Sequence, residues 1–142
     1  MTRHWTGESD DPLDWGRYRA ALRSSLRGRR GQQLLRDLIA GLDALPEPEL
    51  SRGVLADRET GCVCALGAVG LQRGKSFDEL AHEDFTHGAD PENLAERFDI
   101  SATLANEIVQ INDQWWQELN QIRAREARFQ YVKQWAISHL RP

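Results

Sequence analysis

The sequence predicts a mainly α protein of the α+β type, a single compact helical domain with one small β-hairpin at its centre. Apolar residues recur at helical spacing in several segments, and residues that favour helix caps precede them. The stretch 61–70 (GCVCALGAVG) holds both cysteines, and all its side chains are small or aliphatic. In a chain with a mean hydropathy of -0.61, we expect that stretch to be buried at the centre of the fold.

The helices are predicted from apolar spacing and from their caps. Gly28 and Gly31 should break the chain between the first two helices. Ser76 with Glu79 indicates a capping box, and Asp90-Pro91 is typical of a helix start. The expected helical ranges are 13–26, 32–44, 65–72, a short turn after 76, two helices within 91–112 separated at 99–101, and a last helix from about 123.

The hairpin is predicted from residues 53–64. Val54–Ala56 would pair with Cys62–Cys64 across a turn that closes at Gly61. The small-residue helix that follows would then lie against the hairpin. These elements together would form the centre of the domain.

Length and composition indicate one domain. The 142 residues suffice for one core, and we expect residues 1–12 to be a flexible arm and 13–142 a single globular domain. No apolar run reaches the roughly 18 residues that span a bilayer, and the amino terminus lacks the apolar core of a secretory signal. We therefore expect a reduced, cytoplasmic protein without a membrane partner.

Charge is segregated along the chain, although the net charge is only -4. Residues 14–36 carry seven arginines against one aspartate, and residues 43–118 carry sixteen acids against five bases. The last segment, 119–142, is basic again. Either the basic ends pair with the acidic middle within the fold, or the acidic middle faces a basic partner.

The cysteines suggest two kinds of chemistry. Cys62 and Cys64 with His82 and His87 form a C-x-C and H-x4-H set, but one residue between the cysteines is too few for a typical zinc site. We expect no metal and no other cofactor. Alternatively, Cys64 lies where a helix begins, and a helix amino terminus lowers a thiol pKa. A cysteine-centred enzyme with a histidine base is thus an open alternative, although the leading expectation includes no catalytic residue.

Residues 91–112 match the apolar pattern of a helix-turn-helix motif. The charge does not suit DNA, because the second helix would offer Glu107 and no arginine or lysine to the phosphates. We expect the two helices to pack as they do in that motif, but we do not expect them to bind a DNA duplex. A DNA-binding regulator that uses these residues is the second alternative.

The adjacent pair Trp115-Trp116 indicates a protein contact. On a helix, neighbouring side chains point about 100° apart, so one core cannot easily cover both rings. Exposed tryptophan among acids is typical of an interface. The expected partner-binding residues are Trp115, Trp116, Asp113, Glu118 and Glu107. The arginines of 27–31 are a further candidate, for a phosphate at the start of the second helix.

Several segments of the chain resemble a group of small bacteriophage and prophage proteins. The shared segments are Arg29–Gln32, Leu42–Pro46, Gly61–Val69 with its Cys64-Ala-Leu-Gly67 core, Leu94–Ser101 and Glu107–Asp113 with its Asn-Asp pair. The resemblance covers roughly 15–113, and Cys62, His82, His87 and the tryptophan pair lie outside the pattern. It implies phage origin and a compact, mostly helical fold, and it implies no activity.

Together these observations favour a non-catalytic phage-type accessory protein. By analogy with small acidic phage proteins, it would bind and inhibit a host protein in the host cytoplasm, as counter-defence proteins of the anti-CRISPR kind do. An acidic surface is suited to compete for a site that holds nucleic acid. We do not expect nucleic acid to be a ligand in this interpretation.

Overall fold

The computed structural model describes residues 11–82, 90–113 and 120–142, and these are mainly α-helical. The predicted helical class is therefore confirmed. The seven helices of the described ranges are α1 (Pro12–Arg27), α2 (Arg29–Asp43), α3 (Ala65–Gln72), α4 (Phe77–Ala81), α5 (Pro91–Phe98), α6 (Ala102–Asn112) and α7 (Gln121–His139).

Local capping chemistry sets most helix starts where the sequence predicts them. The Ser76 hydroxyl accepts from the Glu79 amide at 3.1 Å, and the Glu79 carboxylate accepts from the Ser76 amide, which completes the capping box. Asp90 caps α5, whose first residue is Pro91, and Ser101 caps α6. The turn between α5 and α6 uses Asp99 in the left-handed conformation, with φ 54°.

Only Gly28 interrupts the chain between the first two helices, so the predicted break at Gly31 is wrong. Gly31 lies inside α2 and is buried. A Cβ atom at this position would overlap the carbonyl oxygen of Ser25 on α1. Glycine is needed here for the close approach of α1 and α2, which sequence spacing does not reveal.

The predicted central β-hairpin is not formed by the described residues, which contain one isolated antiparallel bridge, between Ala56 and Val63. The register is nevertheless close to the expected one, because the Cys64 amide donates to the Leu55 carbonyl at 3.1 Å. Pairing cannot extend further, since Cys64 caps α3 and its carbonyl already accepts from the Ala68 amide at 2.9 Å. The helix start thus limits the pairing to one bridge.

The core is one continuous cluster centred on α3, as expected for the small-residue stretch. Every residue from Val63 to Gly70 is buried. A Cβ at Gly41 of α2 would lie 2.5 Å from the Ala68 carbonyl oxygen, and one at Gly67 would overlap the Leu55 carbonyl oxygen. Small residues therefore bring both α2 and the 50–56 segment directly against the α3 backbone.

The other central element is α6, which packs against α1, α3, α5 and α7. None of its residues is exposed. Its apolar side chains, Leu104, Ala105, Ile108 and Ile111, are buried in the same cluster as α3. A helix without an exposed residue is typical of the inner part of a bundle rather than of its surface.

Most of the expected amino-terminal arm, residues 1–12, lies outside the described residues. Asp11 is the exception, because it caps α1, and Pro12 is the first residue of that helix. The single domain over 13–142 stays a prediction. None of the helices in the described ranges has the length and apolar character needed to cross a membrane.

Two glycine substitutions are expected to change stability in opposite directions. Gly67→Ala should lower the free energy of unfolding by about 1–3 kcal/mol, because the new methyl group overlaps the Leu55 carbonyl and the Val63 side chain. Gly16→Ala should raise it by about 0.5–1 kcal/mol, since this exposed α1 position has nothing within 4 Å of a Cβ. Urea unfolding of the two variants measures both changes. Equal effects at the two positions would contradict the close approach at α3.

Candidate functional site

The structure makes Cys64 a core residue rather than a nucleophile. Its side chain is 1% exposed, and its sulfur accepts from the Gly67 amide at 3.4 Å. Burial raises the pKa of the Cys64 thiol to about 12, although the amide at the start of α3 acts in the opposite direction. The expected lowering of the pKa is therefore wrong, because desolvation outweighs the favourable helix end. A neutral, enclosed thiol cannot attack a substrate.

The candidate metal ligands are not brought together as far as they are described. Cys64 is enclosed in the core, whereas Cys62 is half-buried, with its sulfur 3.9 Å from the Thr60 carbonyl oxygen. His82 is exposed at the end of α4, and its Nε2 lies 3.4 Å from the Arg58 guanidinium. His87 lies outside the described residues. Within the described ranges, no three His, Cys, Asp or Glu side chains form a group fit for a metal ion.

The expected contact residue Glu107 lies in the interior of the protein. It is 6% exposed, and its Oε1 accepts from the Tyr18 hydroxyl at 2.9 Å. The same hydroxyl accepts from the Asn106 amide at 3.1 Å. Burial, followed by the nearby Glu107 charge, raises the pKa of Tyr18 above its usual value. This carboxylate therefore joins α1 to α6 and is not available at the surface.

Asp113, a second expected contact residue, is half-buried and forms structural hydrogen bonds. Its Oδ1 accepts from the Gly53 amide at 3.1 Å and from the Asn112 side-chain amide at 2.8 Å. Asn112 in turn accepts from the Ala65 amide at 2.9 Å and donates to the Ser51 carbonyl at 3.1 Å. This Asn-Asp pair ties the end of α6 to the start of α3 and to the 50–56 segment.

The other three expected contact residues, Trp115, Trp116 and Glu118, lie outside the described residues. Their role stays a prediction.

The helix-turn-helix pair has the expected bounds, but its second helix is not displayed. A recognition helix needs a free face to enter the major groove. The positions that would read bases, Thr103 and Asn106, are only partly accessible, and Asn106 bonds to Tyr18 on α1. The order of the two helices is therefore that of the motif, whereas the covering of α6 is that of a bundle core.

A concave surface in the described part of the chain lies elsewhere, between α1 and the end of α7. It is an open groove of about 660 Å³. We call it the arginine groove, and its lining residues are Arg19, Leu22, Arg23, Leu26, Arg27, Gln32, Ser138, His139 and Arg141. Its described lining contains four arginines and no acidic residue.

One wall of the arginine groove is a row of charges on α1. Arg19, Arg23 and Arg27 are spaced four residues apart, so they lie on one face of the helix. All three are exposed. Arg23 and Arg27 form no ion pair within the described residues, and the Arg19 guanidinium lies 6.0 Å from the centre of the Trp15 ring.

The opposite wall is held in place by the buried side chain of Gln32. Its amide nitrogen donates to the Leu26 carbonyl at 2.6 Å and to the His139 carbonyl at 3.0 Å. Its oxygen accepts from the Arg141 amide at 2.8 Å. One glutamine therefore fixes the end of α7 beside the junction of α1 and α2, and it places Arg141 across from the α1 arginines.

Other basic residues at the two ends of the chain pair with the acidic middle, as one of the two sequence interpretations expects. The closest pairs are Lys133 with Asp43 at 2.7 Å, Arg30 with Asp99 at 3.2 Å, and Arg125 with Glu49 at 3.5 Å. The arginine groove differs from these regions because no carboxylate of a described residue lines it. In the described part of the chain, the four arginines of the groove are exposed to solvent.

Sequence reasoning missed this site in part. The four-residue spacing of the α1 arginines was a readable signal of a charged helix face. Arg141 and Gln32 gave no signal, because their contact joins residues 109 positions apart.

Comparisons with protein-family models, with curated proteins and with solved structures gave no significant match in any of the three searches.

The two cysteines are expected to react very differently with a thiol reagent. The pKa of the Cys64 thiol is raised to about 12, so this thiol stays protonated at pH 8. Its side chain is also enclosed in the core. Cys62 is partly accessible and should react in the folded protein. Titration with a chromogenic disulfide should give one fast thiol in buffer and two in denaturant, and Cys62→Ser should abolish the fast one. Rapid labelling of Cys64 in the folded chain would contradict its placement.

Replacing Asn112 is expected to destabilise the fold without changing the arginine groove. Asn112→Ala leaves the buried Ala65 amide and Ser51 carbonyl without their side-chain partner, at a cost of about 1–3 kcal/mol for each group. Asn106→Ala is the control, since its side chain makes one bond to Tyr18 at a half-buried position. Thermal unfolding measures both variants. A smaller loss for Asn112→Ala than for the control would contradict the central role of this side chain.

Proposed function

We propose that the chain is a non-catalytic protein that acts by binding another protein and covering part of its surface. The resemblance to small phage and prophage proteins suggests the setting. In this proposal the partner is a host protein in the host cytoplasm, and the effect is inhibition of the counter-defence type.

The observation that carries the proposal is the arginine groove. Four exposed arginines line one open concavity in which no described residue is acidic, so their charge is available to a partner. Guanidinium groups are enriched at the centres of protein interfaces, where they form paired hydrogen bonds with carboxylates. His139 also lines the groove, and its Nδ1 lies within hydrogen-bond distance of the Trp135 carbonyl oxygen, at 2.8 Å. The guanidinium groups of the lining are suited to the recognition of carboxylates.

The two alternatives have less support from the described residues. A cysteine-centred enzyme would need a reactive thiolate, and Cys64 is a protonated core residue. A regulator that uses residues 91–112 would need a displayed recognition helix, and no residue of α6 is exposed.

The expected acidic and aromatic face is a second part of the proposal. Glu107 is not part of this face, because it is buried and accepts a hydrogen bond from Tyr18. Asp113 accepts a hydrogen bond from the Gly53 amide within the fold. Trp115 and Trp116 stay its candidate anchors, with Glu118 beside them. The groove and this face are separate regions of the sequence, so variants can test each of them alone.

Capture from a bacterial lysate, followed by calorimetry with the purified partner, tests the proposal. We expect one protein to rebind the chain at equal stoichiometry. Arg23→Glu with Arg27→Glu should weaken that binding by about tenfold or more, because attraction becomes repulsion. The matched control is Arg36→Glu with Arg123→Glu, two exposed positions outside the groove, and it should bind as the parent does.

Two results would overturn the proposal: no purified protein that rebinds the chain, or retained material that nuclease treatment releases. Loss of binding in Trp115→Ala with Trp116→Ala, but not in the groove variant, would move the contact to the aromatic face and overturn the role of the groove.

A further inference from the structure

We infer that the arginine groove holds an acidic segment of the partner protein, with carboxylates about one helical turn apart and an apolar side chain between them. This rests on the proposed function only in taking the partner to be a protein. The inference adds the chemistry of the segment that is recognised.

The spacing of the α1 arginines sets the spacing of the carboxylates. Residues four apart on a helix are separated by a rise of about 6 Å, so Arg19, Arg23 and Arg27 span about 12 Å along one edge of the groove. Each guanidinium presents a planar set of donors that matches a carboxylate in a two-bond arrangement. Arg141 adds a fourth donor group from the opposite wall.

The apolar residues of the groove favour a protein segment over a nucleic acid. Leu22 lines the groove together with the arginines and is half-buried, so part of its side chain faces the groove, whereas Leu26 is a core residue, 7% exposed, and offers little surface. A phosphodiester backbone would leave this apolar surface without a complement. A leucine or phenylalanine of an acidic segment would cover it and remove it from water. Within the described lining, His139 carries the one aromatic ring on which a base could stack, and this ring already packs against Trp135 at a centroid distance of 5.0 Å.

The groove is organised before any partner binds. Three hydrogen bonds of Gln32 fix the position of the α7 end relative to α1, so the wall that carries Arg141 does not need to be ordered on binding. Preorganisation of this kind lowers the entropic cost of association. A short segment is therefore enough to bind with measurable affinity.

Fluorescence anisotropy with three labelled probes tests the inference. The first is a peptide with glutamates at positions i, i+4 and i+8 and leucines between them. The second replaces the leucines by serine, and the third is a single-stranded oligodeoxynucleotide of the same net charge. The protein is used at full length and at low ionic strength, where charge interactions are screened least.

Two triple variants separate the groove from net charge. The groove variant is Arg19→Gln, Arg23→Gln and Arg27→Gln. The control variant is Arg17→Gln, Arg36→Gln and Arg123→Gln, which removes the same charge at exposed positions outside the groove. Circular dichroism of both variants checks that the helices are intact, and all six side chains are exposed, so both should fold.

We expect the leucine peptide to bind most tightly, the groove variant to lose about tenfold or more in affinity, and the control variant to lose less than about threefold.

Equal losses in the two variants would overturn the inference, and so would equal affinity for the serine peptide. Tighter binding of the oligonucleotide through the groove would make the site a nucleic-acid site. Concentration-dependent dimers that the groove variant abolishes would make the occupant a second copy of this chain. If the groove variant still holds the partner captured from lysate, the inference fails while the proposed function stands.

Discussion

The fold depends on the direct contact of other backbone segments with α3. Gly67 lets the Leu55 carbonyl lie against the helix, and Gly41 lets α2 approach the Ala68 carbonyl. Both contacts require positions without a side chain, because even a methyl group would fill the space that the neighbouring carbonyl occupies. The same contacts enclose Cys64 at the start of α3, so the feature that centres the fold also removes the thiol from chemistry.

Sequence patterns predicted the helices well because caps and apolar spacing act locally. Ser76, Asp90 and Ser101 cap their helices through bonds to amides three residues away. The patterns failed where a distant contact decides the outcome. Gly31 lies inside α2, where the close approach to Ser25 of α1 leaves no room for a side chain. The pairing at Ala56 stops after one bridge because α3 begins directly after Cys64. Composition alone favoured a helix break and a hairpin at these places.

For charged residues, too, the sequence does not show which ones remain available at the surface. A count along the chain locates the acidic middle, but it does not say which carboxylates the fold uses internally. Glu107 accepts a bond from Tyr18, and Asp113 holds Gly53, so both belong to the framework. The α1 arginines could be recognised as one face from their spacing, whereas Arg141 joins them only through the tertiary contact made by Gln32. A site assembled from both ends of the chain has no local signature.

The net charge and the arginine groove favour different partners at different distances. A chain of net charge -4 repels an extended polyanion as a whole, whereas the groove attracts one at close range. At physiological salt the screening length is about 8 Å, so each contact is governed by nearby charges alone. A long nucleic acid would contact both the basic groove and the acidic remainder of the protein. Repulsion by that acidic remainder would reduce its net attraction below that of a short acidic segment. In the proposed function, the placement of a basic groove on an acidic protein would therefore favour a compact acidic segment over a long nucleic acid.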